Sequence, residues 1–302
     1  MISQACKRVF MVRPAAFGFN AETAETNGFQ KPETPVENPS EKAQEEFDQL
    51  VYQLQQEGAS VLVYQDTLQP EKPDAIFPNN WVGLHDHGIR VYYPMLAKNR
   101  RLERNTDVIA FLDANLPAKQ IRDYSTFESL DQAMEGTGSL IFDYLNKRVF
   151  ASVSPRTQPE IMLKISNDLG FEPILFDAFD ANNQAYYHTN VILSIGTKYA
   201  LICAEAIPED QREKVLESLK FPGRTIIPIT RQQVDAFAGN VLEISNSDDE
   251  LLIVISQTAV DSLRDEQIAV LQRSGLLLIA NIPVIECIGG GGVRCMLAEI
   301  RD

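Results

Sequence analysis

A single cysteine follows four consecutive glycines near the end of the sequence. The glycines occupy positions 289–292 and the thiol belongs to Cys295. A glycine backbone reaches positive φ and comes close to bound molecules, so such a turn can bring a thiol within reach of a ligand. We expect Cys295 to begin a short apolar strand that runs through residues 296–300. A buried structural cysteine is the alternative for an isolated thiol.

The rest of the sequence contains hairpin patterns at a regular interval. Their first strands are predicted to begin at Asn80, Gly138, Asn190, Asn240 and Val293, which are separated by 58, 52, 50 and 53 residues. The first four hairpins are each followed by a segment with helical periodicity. This self-similarity predicts a closed array of ββα-type units in a single domain, residues 1–302. A chance match of several hairpins is the alternative.

Further elements are predicted around these hairpins. Residues 7–13 are expected to form a strand that ends before Pro14 and pairs with the incomplete last unit. Helices are predicted at 40–57 after a Ser40 cap, at 158–169, at 208–219 and at 262–274. Residues 20–39 are polar and rich in Pro, Glu, Thr and Asn, which favours a surface loop. A lid over a ligand is the alternative for this segment.

Polar residues recur at one position of the repeat. If the units surround one axis, equivalent turns meet at one pole and bring amides, a carboxylate, an imidazole and a thiol together. His188 is one of three histidines, and the other two lie in a turn at the far end of their hairpin. We therefore expect His188 to carry protons for a Cys295 nucleophile, with a thiolate forming beside an imidazolium. The residues of this set are Asn79, Asn80, Glu135, His188, Asn190, Asn240 and Cys295.

Composition excludes several classes of function. The net charge of −15 opposes binding to nucleic acid or to an anionic membrane. The four cysteines show neither a CxxC pattern nor zinc-ligand spacing, so no metal site, cofactor or disulfide scaffold is expected. Reduced thiols, the absence of an apolar signal region and the absence of a long apolar run together predict a cytoplasmic protein.

Four strings of the sequence resemble one family from about residue 8 to the C-terminus. They begin at Pro73, Glu135, His188 and Gly291, and read PDAIFPNN, EGTG, HTN and GGVRCM. Together they are similar to the guanidino-group-modifying enzymes, the pentein superfamily. That superfamily includes arginine deiminase, dimethylarginine dimethylaminohydrolase, succinylarginine dihydrolase and the amidinotransferases. The greatest likeness is to its citrulline-hydrolysing branch, the CtlX-type proteins.

This resemblance implies a fold and a set of roles. The fold would be a five-bladed, pseudo-fivefold α/β propeller closed by the N-terminal strand. Cys295 would be the nucleophile, His188 the general acid and base, and Glu135 the carboxylate that holds a substrate nitrogen. The substrate-binding residues would be Asp74, Asn79, Asn80, Arg100, Arg156, Asn190 and Asn240, with the two arginines gripping the substrate carboxylate. The alignment with the family leaves a shift of one residue open at Arg100, and it does not define the role of Asn240.

Asn80 and Asn190 differ from the family's deiminases, which commonly carry carboxylates at these positions. A guanidinium is a cation with donors only, whereas a ureido group is neutral and has a carbonyl oxygen that needs a donor. Replacing carboxylates by amides therefore favours a ureide, with free L-citrulline as the first substrate. An arginine deiminase or dihydrolase and a binding protein without catalysis are the alternatives. The expected partner is a small molecule, and a homo-oligomer remains open.

Overall fold

The computed structural model describes residues 3–31 and 35–301, so positions 32–34 of the predicted loop lie outside the described residues. Within the described residues the chain forms fifteen strands. These are β1 (Arg8–Arg13), β2 (Ser60–Gln65), β3 (Val82–His85), β4 (Ile89–Tyr92), β5 (Gln120–Asp123), β6 (Ile141–Asp143), β7 (Arg148–Ser152), β8 (Glu172–Phe176), β9 (Leu193–Ile195), β10 (Tyr199–Ile202), β11 (Thr225–Pro228), β12 (Leu242–Ser245), β13 (Leu251–Ser256), β14 (Leu276–Ala280) and β15 (Ala298–Ile300).

Helices connect these strands, and none within the described residues is long and apolar enough to span a bilayer. The α-helices are α1 (Ala21–Ala24), α2 (Pro39–Gln56), α3 (Thr106–Asn115), α4 (Gly136–Ser139), α5 (Pro159–Leu169), α6 (Glu209–Ser218), α7 (Arg231–Asp235), α8 (Gln257–Ser262) and α9 (Asp265–Ser274). Short 3-10 turns include Pro78–Asn80, Asn99–Glu103, Thr189–Val191 and Val293–Met296, and a π-helical turn covers Ile285–Gly289.

The strands group into five units with one topology. In each unit the first strand pairs antiparallel with the second, and the second pairs parallel with the third, as in β12, β13 and β14. A helix lies between the second and third strands, for example α5 between β7 and β8. The repeating unit is therefore ββαβ, with one strand more than the ββα unit expected from the sequence.

The two ends of the chain share one unit. β15 pairs antiparallel with β1, and β1 pairs parallel with β2, in the register Arg8 to Ile300 and Arg8 to Ser60. The predicted pairing of the N-terminal strand with the last segment is confirmed. β15 also pairs in parallel with β3 at one position of the register, Ile300 to Leu84. These two units therefore form a six-stranded sheet, and the other three units form three-stranded sheets.

Apolar spacing explains why these elements form and where they pack. α2 buries Phe47, Leu50 and Leu54 at helical intervals. α5 begins at Pro159 and is capped by Gly170, whose φ of 75° suits a residue without a Cβ. The middle strand of a unit is largely buried and mostly apolar, as in β13. These middle strands carry the core on which the turns of the site rest.

Most predicted elements are present, with two local differences. The helix predicted at 158–169 is confirmed to within one residue. The helix predicted at 262–274 is two helices, because Leu263 and Arg264 are extended. Ser40 lies inside α2, which begins at Pro39, and its hydroxyl binds the backbone of Ala15 instead of capping the helix.

Candidate active site

Cys295 lies in a 3-10 turn and not at the start of a strand. Val293–Met296 form this turn, and the strand β15 begins only at Ala298. The thiol is buried, and its Sγ accepts hydrogen bonds from Asn190 Nδ2 at 3.3 Å and Asn240 Nδ2 at 3.4 Å. Two neutral amide donors therefore hold the sulfur.

The glycines before Cys295 act in two ways. Gly290 has a φ of 62°, which only glycine adopts without strain. Gly292 lies against Asn240, where an added Cβ would be 2.6 Å from Oδ1. The same Oδ1 accepts a hydrogen bond from the backbone N–H of Arg294 at 3.0 Å. Asn240 thus ties the turn to the sulfur, a role that the sequence did not define.

His188 is held by Glu135 on the opposite side of the cavity. His188 Nε2 lies 2.9 Å from Glu135 Oε2, and Arg156 Nη1 donates to the same oxygen at 3.3 Å. Glu135 Oε1 accepts from the backbone N–H of Leu96 at 3.1 Å. Burial opposes ionisation of Glu135, but Arg156 and His188 outweigh it, so the pKa of this carboxyl lies well below its usual range.

The structure does not show the thiolate and imidazolium pair expected from the sequence. Among their described contacts, Cys295 bonds to amides and His188 bonds to Glu135. Burial raises the pKa of Cys295, and the hydrogen bonds from Asn240 and Asn190 offset only part of this effect. Burial also lowers the pKa of His188 to about 4 against the pull of Glu135. In the absence of a ligand, desolvation thus opposes the charged form of both groups.

Asn80 and Arg100 form the third side of the cavity. Arg100 Nη1 donates to Asn80 Oδ1 at 2.7 Å, and Glu103 binds the same guanidinium at 2.8 and 2.9 Å. Asn80 Nδ2 is buried without a hydrogen-bond partner and points toward Gly138, beside the ring of His188. Arg101 instead binds backbone carbonyls outside the cavity. Arg100 is therefore the arginine that faces the site.

Asp74 provides a second carboxylate at the same cavity. Its Oδ2 accepts from Asn20 Nδ2 at 2.8 Å and from the Thr23 hydroxyl at 3.0 Å, while its Oδ1 has no partner. Burial raises the pKa of Asp74, and Arg100 offsets part of this rise. A donor on a bound molecule could therefore be satisfied by Oδ1.

Three of the four predicted amides, Asn79, Asn190 and Asn240, lie outside the lining of the cavity. Asn79 donates to the Thr137 hydroxyl at 3.2 Å, beneath the site. Asn190 contacts Cys295 from behind, and its Oδ1 has no partner. The sequence-predicted residues that line the cavity are Asp74, Asn80, Arg100, Arg156, His188 and Cys295.

The segment at residues 20–31 covers the cavity. Arg156 donates to the Thr23 carbonyl at 2.8 Å and to the Thr26 hydroxyl at 2.9 Å, and Asn27 donates to the Gly290 carbonyl at 3.1 Å. The cavity measures about 10 Å³, close to the minimum for one water molecule. A substrate fits only if this segment moves, so the segment has the position of a lid.

Sequence reasoning missed Tyr187, which joins three parts of the site. Its hydroxyl donates to the Gly290 carbonyl at 2.8 Å, and its ring lies 4.6 Å from the ring of His188. The Arg156 guanidinium lies 5.0 Å from the same ring. The only signal in the sequence was its place directly before His188.

The other two histidines lie outside this cavity. His85 bonds to the Tyr93 hydroxyl at 2.8 Å at the far end of β3, and burial lowers its pKa to about 3. His87 lies in an exposed turn beyond it. Within residues 3–31 and 35–301, no group of three His, Cys, Asp or Glu side chains is placed to hold a metal ion.

Comparison with known proteins places this geometry in a family. The family model described as N,N dimethylarginine dimethylhydrolase, eukaryotic, matches residues 13–302. The chain belongs to this family. The resemblance to guanidino-group-modifying enzymes is thereby confirmed, and the family is named for hydrolysis at a methylated guanidino group. A search of the curated proteins gives no match.

Solved structures of distant relatives share the α/β fold. The substrate-bound N-terminal domain of ArgZ, an arginine dihydrolase from the ornithine-ammonia cycle in cyanobacteria, is 16% identical with a TM-score of 0.75, covering 98% of each chain. Unliganded AgrE is 18% identical with a TM-score of 0.76, and the match covers 98% of this chain and 39% of the AgrE chain. A dimethylarginine dimethylaminohydrolase adduct with 4-chloro-2-hydroxymethylpyridine is 14% identical with a TM-score of 0.66, covering 97% of this chain and 99% of its own. The expected α/β class is thus confirmed.

Proposed function

We propose that this protein is a cysteine hydrolase of a small amino acid that carries a ureido or guanidino group, with L-citrulline as its first substrate. The proposal rests on one small cavity that is lined by Cys295, His188 and Asp74, with Glu135 hydrogen-bonded to His188. A nucleophile, a proton carrier and two buried carboxylates at one small cavity suit attack on a planar carbon that bears nitrogen.

In this mechanism Cys295 attacks the ureido carbon while its thiol proton passes to Nδ1 of His188, and the carbonyl electron pair moves to oxygen. The oxyanion has a donor available, because Asn80 Nδ2 lacks a partner. Collapse releases ammonia with a proton from His188 and leaves a thiocarbamoyl group on sulfur. His188 then activates water, which breaks the carbon–sulfur bond. Loss of carbon dioxide from the carbamate balances the reaction, so that citrulline and water give ornithine, ammonia and carbon dioxide.

Glu135 prepares His188 for this proton transfer. Its carboxylate is ionised and binds Nε2, which therefore carries a proton, so Nδ1 is the nitrogen left to exchange a proton with the reacting group. Arg156 neutralises Glu135 and is anchored by the covering segment. Gripping of a substrate carboxylate by Arg100 or Arg156 stays a prediction, and it requires these guanidinium groups to exchange protein partners for the ligand.

The amides favour a neutral substrate. Asn190 and Asn240 surround the sulfur with neutral dipoles, and Asn80 faces the cavity with a free N–H. A desolvated guanidinium needs full counter-charge, and here Arg100 and Arg156 already engage Glu103 and Glu135. A ureido oxygen would instead receive the unused donor of Asn80.

A guanidino substrate is the second candidate. Asp74 Oδ1 lacks a partner and could accept from a guanidinium. A cation beside Cys295 would also lower the pKa of the thiol, which burial has raised. The family name and the arginine dihydrolase ArgZ point to arginine or a derivative.

Release of the amine leaving group separates these candidates: ammonia from the unmethylated substrates, and methylamine or dimethylamine from methylated arginine. Citrulline, arginine, methylated arginine, agmatine and N-succinylarginine should be compared by kcat/KM with the wild-type protein. The proposal predicts the highest value for citrulline, and a higher value for arginine would assign the second candidate. Cys295→Ala and His188→Ala should each lose about a thousandfold or more in kcat, because each removes a reacting group. Activity above about one per cent in either variant would remove that residue from its role.

We propose that the five ββαβ units surround one axis as a five-bladed propeller, and that residues 1–302 act as one catalytic domain. The turns before β3, β6, β9, β12 and β15 all contribute to one site, which supports that arrangement. A binding protein without catalysis is the remaining alternative, and a complete absence of turnover with every substrate above would favour it.

A further inference from the structure

A second cavity lies on the other side of the segment that covers the active site. It measures about 530 Å³, within the range of small-molecule sites. Thr26, Gly28, Phe29 and Lys31 line this outer cavity, whereas Asn27 faces the inner one. Tyr187 lines both, so it is part of the wall between the two cavities.

Carboxylates outnumber cations in the outer cavity. Asp180, Asp235 and Glu286 face Lys31, and three carboxylates against one ammonium leave two negative charges in excess. Glu286 is only 4% exposed, and its Oε1 has no hydrogen-bond partner. Burial raises the pKa of Glu286, and burial together with Asp180 raises the pKa of Asp235. Both carboxylates would therefore be stabilised by an added cation.

Aromatic rings form the apolar wall of this cavity. Phe29 lies at its centre, with ring centroids 5.8 Å from Tyr187 and 5.3 Å from Phe237. Aromatic faces beside carboxylates are the arrangement that recognises ammonium groups, because the ring faces carry partial negative charge. The cavity thus combines apolar contact for a carbon chain with unpaired charge for its ends.

We propose that the outer cavity binds a small organic cation with two ammonium groups, of the size of a linear diamine or diamino acid. Glu286 and Asp235 are the counter-charges, and Phe29, Tyr187 and Phe237 contact the carbon chain. Nothing in this assignment depends on which substrate Cys295 attacks. The aromatic wall favours an organic cation over a metal ion.

Calorimetric titration with 1,4-diaminobutane tests this site. Two further probes are titrated in parallel. Ornithine adds a carboxylate to the diamine, and butylamine lacks the second ammonium group. Glu286→Gln and Asp235→Asn should each weaken the affinity for the diamine about tenfold or more, because each removes a charged hydrogen-bond acceptor. Glu213→Gln, an exposed carboxylate on α6, is the matched control and should leave the affinity unchanged.

Asp74→Asn tells the outer cavity from the active site. Weaker diamine binding in Asp74→Asn with unchanged binding in Asp235→Asn would place the ligand at Cys295 and overturn the proposal. Absence of binding to the wild-type protein at millimolar diamine would overturn it as well. Asp235 lies exposed at the rim, so Asp235→Asn decides the matter even where the buried Glu286→Gln fails to fold.

Discussion

Cys295 and His188 lie at the same cavity but bind different partners. The sulfur rests on two amides, and the imidazole rests on a carboxylate. Because both groups are buried, desolvation opposes the charged form of each. A bound substrate that carries charge or accepts a proton would change this balance.

This arrangement predicts how Cys295 reacts with iodoacetamide in the absence of substrate. The thiolate is the reactive form, and its pKa is raised, so the alkylation rate should rise about tenfold per pH unit from pH 7 to 9. Mass spectrometry of the peptide that contains Cys295 separates this reaction from that of the partly exposed Cys287. A rate that is already constant near pH 7 would show that the thiolate exists without a ligand.

Tyr187 is expected to position the site without taking part in bond formation. Tyr187→Phe keeps the ring against His188 but removes the hydrogen bond to Gly290. We expect kcat to fall about tenfold with KM and melting temperature nearly unchanged, since one hydrogen bond is worth about 1 kcal/mol. Tyr199→Phe is the control, because that buried hydroxyl has no partner. Equal kcat in wild type and Tyr187→Phe would contradict this role.

At this scale the sequence predicted the members of the site better than their contacts. Cys295, His188 and Glu135 were placed by their position in the repeat, which fixes where each turn lies. Tyr187 and Glu103 were missed, since each acts through a neighbour: Tyr187 lies beside His188, and Glu103 binds Arg100. The thiolate and imidazolium pair stays a prediction, and the burial that opposes both charges could not be read from the spacing of residues.

Among the elements, the covering segment decides access. Its contacts with Arg156 and Gly290 are hydrogen bonds from side chains, which can open without unfolding a strand or a helix of the core. The sequence left a plain loop and a lid as alternatives for residues 20–39. The described part of this segment is packed over the cavity, where only a lid could control entry.

Thr26→Val is expected to loosen this segment. The change keeps the shape of the side chain but leaves Arg156 Nε without its acceptor. A lost hydrogen bond to a charged group should raise the fraction of open segment about tenfold. Hydrogen exchange of residues 20–31 should then be about tenfold faster, while exchange in α5 stays the same. The control Thr225→Val, on an exposed strand residue, should show wild-type exchange, and the same rate in Thr26→Val would contradict a closing role for this hydrogen bond.

Short turns at the site also explain one error at this scale. Residues 138–140 and 189–192 are apolar or small and read as strand, but the backbone first makes a helical turn and enters β6 or β9 later. Each turn directs a polar side chain inward before the strand begins. The chemistry therefore resides in the turns, and the strands hold them in place.

For the whole molecule, the repeat could be seen in the sequence because the two inner strands of each unit are apolar and lie close together. The third strand was missed in four of the units, those that contain β5, β8, β11 and β14. β5 consists of exposed, mostly polar residues, and β8 contains Pro173, since an edge strand needs few apolar side chains and can include proline. The sequence pattern did not indicate β14, because its residue Leu276 is exposed at the edge of the sheet. Joining of the chain ends through β1 and β15 was predictable, since the last unit lacked a partner strand.

The most direct test is to detect a covalent intermediate on Cys295. Wild-type protein mixed with citrulline should be quenched in acid during steady-state turnover, and the peptide that contains Cys295 should be analysed by mass spectrometry. We predict a carbamoyl adduct on this sulfur that disappears when citrulline is exhausted, and a similar amidino adduct if arginine is the substrate. Steady ammonia release without any adduct on Cys295, or with the adduct on another residue, would contradict the account.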